Sequence, residues 1–137
     1  MENMNFLYKI KELEEAAEKL FLEYSIVEGE MANEFIQATF NKFKPFKVTG
    51  HLSIGSEFSE EMSTDEHEFT FSEKYLSGPV YVFFEQDYYN KNQIFVLKEG
   101  RHFSKLMQEC YGMKYFITDE EKKILISVNW YIIEIAR

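Results

Sequence analysis

His51, His67 and His102, together with Cys110, are the side chains in this 137-residue chain best suited to nucleophilic or metal-assisted chemistry. Asp65, His67 and Glu68 lie close together. On a strand edge, a spacing of two would turn Asp65 and His67 to one face, where they could hold a metal. A structural zinc site wants more nitrogen or sulfur ligands than this, and a solvated loop is the alternative. Cys110 and His102 make a conceivable nucleophile pair, but on one helix their spacing of eight separates them by about 12 Å. That exceeds hydrogen-bond reach, and His51 could approach Cys110 only through a tertiary contact. There is no GxSxG, no HExxH and no glycine-rich phosphate loop. Carboxylates abound, yet an acid–base dyad needs one raised pKa inside a cleft, and composition does not supply that. No catalytic residue, metal ligand or cofactor is therefore assigned. A small hydrolase or metal-binding enzyme using His51 or His67 stays as an alternative.

The carboxylates carry a different message. Twenty-four Asp and Glu against 15 Lys and Arg give a net charge of −9. Such a chain repels phosphate, which argues against direct nucleic-acid binding and against docking on an anionic membrane. Residues 1–79 hold 16 acids and 7 bases, whereas residues 80–137 hold 8 of each, so the whole deficit lies in the first part. It is densest at Glu57, Glu60, Glu61, Asp65, Glu66 and Glu68, with no Lys or Arg between Lys47 and Lys74. A solvated, solubilising loop is one explanation. The other is a docking surface for a basic protein, which would also steer its association. Glu85 and Asp87 could extend that surface. Tyr88 and Tyr89, at a predicted turn, are candidate anchors because Tyr is favoured at interfaces. Their rings could equally lie over the hairpin with the hydroxyls in water.

The elements that must carry these residues follow from periodicity. Phe6, Ile10, Leu13, Ala17, Leu20 and Tyr24 make one face of an amphipathic helix, with Lys and Glu opposite. A second helix is expected over Glu30 to Phe43, ended by Pro45, with Lys44 pushed towards extended geometry. From Phe46 to Ile54 the period becomes two and predicts a half-buried strand, with Gly50 at a bulge or a close approach. Residues 55–66 read as a polar loop. Alternation resumes at Phe69 and Phe71, and a strand is expected from Val80 to Tyr88. A turn at Tyr89 to Asn92 leads into Gln93 to Leu97. Helical spacing returns from Arg101 to Tyr111, with Gly112 as its left-handed stop. Strands are then expected at Lys114 to Thr118, Ile124 to Val128 and Trp130 to Ile135. The sum is an α+β fold in one globular domain, residues 1–137. Two N-terminal helices and one later helix cover one face of a mainly antiparallel sheet of about five to six strands.

The N-terminus lacks a signal-peptide pattern, apolar runs reach only five residues, and Cys110 has no partner cysteine, so a reduced cytoplasm is expected. The run from Ile94 to Val128 contains FVLKEG, then a short helix ending ECYG, then KYFIT and ILISV. It resembles small bacterial immunity proteins of polymorphic toxin systems, contact-dependent growth-inhibition immunity proteins among them. The resemblance spans about a quarter of the chain. It implies a small acidic cytoplasmic protein that binds a cognate toxin domain, often a basic nuclease, and blocks its active site or substrate groove. A nucleic-acid mimic that inhibits a DNA-binding enzyme is the nearest alternative, and a subunit of a homo-oligomer is another.

Overall fold

The structure is a computed structural model that describes residues 8–55, 57 and 59–137. Seven strands form one fully antiparallel sheet: β1 (Tyr24–Glu28), β2 (Glu60–Ser63), β3 (Val80–Phe83), β4 (Gln93–Leu97), β5 (Tyr115–Asp119), β6 (Leu125–Val128) and β7 (Ile132–Ala136). Their order across the sheet is β1-β4-β3-β5-β6-β7-β2. The helices are α1 (Lys9–Lys19), α2 (Glu30–Phe43), α3 (Thr64–His67), α4 (Phe71–Tyr75) and α5 (Phe103–Met107).

The α+β expectation holds, but the sheet has seven strands rather than five or six, five helices rather than three pack with it among the described residues, and both of its faces are covered rather than one. Alternate residues of each central strand belong to different cores. Val80, Val82, Phe95, Leu97, Tyr115, Ile117 and Ile126 pack with Leu13 and Ala17 of α1, Phe71 of α4 and Leu106 of α5. Phe83, Ile94, Phe116 and Leu125 face the other way, towards Ala32 and Ile36 of α2 and towards Leu52 and Ile54. Strands apolar on both sides need cover on both sides. Phe40 of α2 meets Phe83 and Phe116 edge-on, with ring centroids 5.7 and 5.4 Å apart.

β1 and β2 occupy opposite edges, and residues 29–55 cross the sheet between them as a strap over the α2 face. Several expectations fail along this strap. Residues 46–54 do not join the sheet; they double back through a single bridge, Lys47 to Ser53, and press Leu52 and Ile54 onto it. Lys44 closes α2 in a left-handed conformation, φ 49°, rather than an extended one. Gly50 turns at φ +67°, and nothing lies within 4 Å of where a Cβ would stand, so it is the turn and not a tight packing contact that calls for glycine. The chain around Tyr24, expected to end the first helix, pairs instead with β4, and Glu60–Ser63, expected in a loop, pairs with β7. The Phe69–Phe71 stretch is a turn into α4, and the Val80 strand ends at Phe83. Phe6 and Phe58 lie outside the described residues.

Candidate protein-interaction surface

The acidic segment runs along one edge of the sheet. Glu57 sits on the turn before β2, Glu60 and Glu61 are in β2, Asp65 and Glu66 open α3, and Glu68 follows it. These carboxylates do not share one environment. Glu60 accepts from the Tyr75 hydroxyl at 2.6 Å and from Arg137 Nη2 at 3.1 Å. The phenol bond, with the Arg137 charge behind it, holds this carboxyl below its usual range. Glu68 is half-buried, and that burial pushes its carboxyl up. Glu57 and Glu61 line a groove of about 580 Å³ with Lys44, the exposed ring of Phe46, Ile132 and Glu134. Asp65 and Glu66 face solvent. Among the described residues, Glu60 is the one member of this segment in an ion pair; the other four ion pairs join residues elsewhere.

Glu134 is buried on β7, opposite Glu61 in register, and explains how the strap is held against this edge. Its carboxylate accepts from the Ile54 and Gly55 amides at 3.1 Å each, and from the Ser59 and Ser127 hydroxyls at 3.4 Å. Four donors replace the water that burial removes.

The other expected contact residues lie on the loop between β3 and β4. Glu85 accepts from the Gly50 amide at 3.4 Å. Asp87 accepts from the Tyr89 and Asn90 amides and from Asn90 Nδ2, while Asn90 in turn accepts from the Lys9 amide at the start of α1. Asp87 therefore shapes this loop. Tyr89 is half-buried between Tyr8 and Tyr88, and Tyr88 is 83% exposed. Strand order puts this loop at the same end of the sheet as α3, with β5, β6 and β7 between them.

The Asp65–His67 metal reading loses its geometry. Asp65 and His67 lie on a helical turn, where a spacing of two separates side chains instead of aligning them. Among the described residues no group of three or more His, Cys, Asp and Glu could hold a metal. The helix expected over Arg101–Tyr111 narrows to α5, with His102 before it. Burial, then the charges of Glu12 and Glu109, push the Cys110 thiol up to about 12. Gly112 does not adopt a left-handed conformation; a Cβ there would lie 2.8 Å from Cζ3 of Trp130.

Trp130 and Tyr131 are the residues that periodicity misplaced. They form the tip of the β6–β7 hairpin, 50% and 74% exposed, rather than the first residues of a strand. The His51 ring lies 5.6 Å from that of Tyr131. The available signal was Asn129, a turn residue directly after an apolar run.

Comparison with known proteins gave no matching family model, no matching curated protein and no matching solved structure. Among the described residues no helix is long and apolar enough to cross a membrane.

Proposed function

We propose that this chain is an immunity protein of the cytoplasm, binding and neutralising a cognate toxin domain by occlusion. The partner in this reading is a basic nuclease whose phosphate-binding Lys and Arg meet the β2 edge and α3. One observation carries it: five of the six carboxylates between Glu57 and Glu68 have no ionic partner among the described residues. Folding gains nothing from gathering unpaired like charges on one edge, whereas a cationic partner is drawn to them. The resemblance over Ile94 to Val128 supports the same assignment.

Because Glu60 is tied to Arg137 and Tyr75, the informative variants are Glu61→Lys, Asp65→Lys and Glu66→Lys together. Against the product of the neighbouring reading frame, they are expected to slow association about tenfold and flatten its salt dependence. Unchanged association kinetics would remove this edge from the binding site. Several unrelated DNA enzymes bound in competition with DNA would indicate a nucleic-acid mimic instead.

A further inference from the structure

The β6–β7 tip is a rigid display of aromatic surface. Asn129 is buried, and its Oδ1 accepts from the Tyr131 and Ile132 amides at 2.8 and 2.9 Å. Its Nδ2 donates to the Leu52 carbonyl at 3.0 Å, joining the tip to the strap. Thr64 closes the other side: its hydroxyl donates to the Asn129 carbonyl at 2.9 Å and its amide to the Tyr131 carbonyl at 3.1 Å. The hairpin backbone is thus fixed from three directions while the Trp130 and Tyr131 rings stay exposed. Large aromatics held outward at low entropic cost are what binding anchors require.

Their surroundings define the ligand chemistry. Asp65 and Glu66, both exposed, directly follow Thr64. Glu85 reaches Gly50, next to His51 and its contact with Tyr131. Lys114 is in the same neighbourhood, but its ammonium donates to the Gly50 carbonyl at 2.6 Å. Exposed π faces beside unpaired carboxylates complement a guanidinium, which stacks on a ring and forks two N–H bonds into a carboxylate. An ammonium shares the charge but neither the planar stacking nor the fork.

We infer that the Trp130–Tyr131 tip, with Asp65 and Glu66, is an anchor site for arginine side chains of a basic partner segment. This rests on the reading of the chain as a binder of a cationic protein, and adds where it grips and which cation it prefers.

Nona-arginine and nona-lysine, titrated into the intact chain at equal ionic strength, test it. Trp130 is the chain's one tryptophan, so its emission reports directly on the tip. Nona-arginine is expected to bind about fivefold more tightly than nona-lysine and to shift that emission. Calorimetry on Trp130→Ala plus Tyr131→Ala, with the unfolding midpoint as the fold control, should bring the two peptides to parity. Gly112→Ala leaves both rings present but displaces the indole, and should lower only the arginine preference. Asp65→Asn plus Glu66→Gln should weaken both peptides. If the carboxylate variants weaken binding while arginine shows no preference, the electrostatic reading stands and the arginine site is wrong. If neither peptide binds, both are wrong. A preference that survives removal of both rings also overturns the site.

Discussion

Glu134 shows how much one side chain can organise here. It is 2% exposed, has no ion-pair partner among the described residues, and is held by two amides and two hydroxyls. Glu134→Ala strands those donors, and hydrogen bonds to a charged group are each worth about 1.5–3 kcal/mol. The expected cost is about 3 kcal/mol by urea unfolding, with Glu134→Gln losing less because one acceptor remains. Cys110 gives a second test. With its thiol pushed up to about 12 by burial and by Glu12 and Glu109, the folded protein should resist alkylation at pH 8. The rate with iodoacetamide is expected to be about 100-fold below that of the urea-unfolded chain. The sign of the stability effect follows: a folded state that keeps this proton longer than the unfolded one loses stability as pH climbs from about 9 towards 12. A fast-reacting thiol would contradict the packing around α5.

At the scale of elements, the hairpin tip and the strap depend on each other through Asn129. Asn129→Ala removes the acceptor for two amides and the donor to Leu52. It is expected to cost about 2 kcal/mol in unfolding free energy and to broaden the Trp130 emission, because the strap and hairpin part together. This interdependence also marks the limit of sequence reading. The existence of the strands from Val80 onward was legible, because apolar runs bounded by turn residues read as strands, although the first ends at Phe83 and the last begins at Ile132. The covering of both faces was legible in principle as well: Val80–Phe84 is apolar without alternation, the pattern of a strand buried on both sides. β1 and β2 were not legible. Tyr24–Glu28 continues a helical spacing of apolar residues, and Glu60–Ser63 is an edge strand with an exposed acidic start. Residues 46–54 alternate because they lie on a sheet face, and alternation alone does not separate lying on a sheet from joining it. The acidic segment was visible by composition, but the aromatic tip beside it depended on the turn at Asn129.

For the whole molecule, the layout of charge matters more than its total. α1 carries Glu12, Glu14, Glu15 and Glu18, but Lys9, Lys11 and Lys19 alternate with them, Glu12 accepts from the Tyr111 amide, and Glu14 and Glu18 accept from the Tyr24 hydroxyl. Glu23, Glu99, Glu109 and Glu121 each have a Lys or Arg within 4.0 Å. What sets the β2 edge and α3 apart is that no Lys or Arg stands in sequence between Lys47 and Lys74, so apart from the Glu60–Arg137 pair their carboxylates gather without interleaved cations. The most direct measurement is amide chemical-shift mapping of the intact chain with nona-lysine, a probe of charge alone. Shifts concentrated at residues 57–66 and at the Asn129–Tyr131 tip are the expected result. Shifts spread evenly over the surface, or centred on α1, would contradict a localised anionic docking edge.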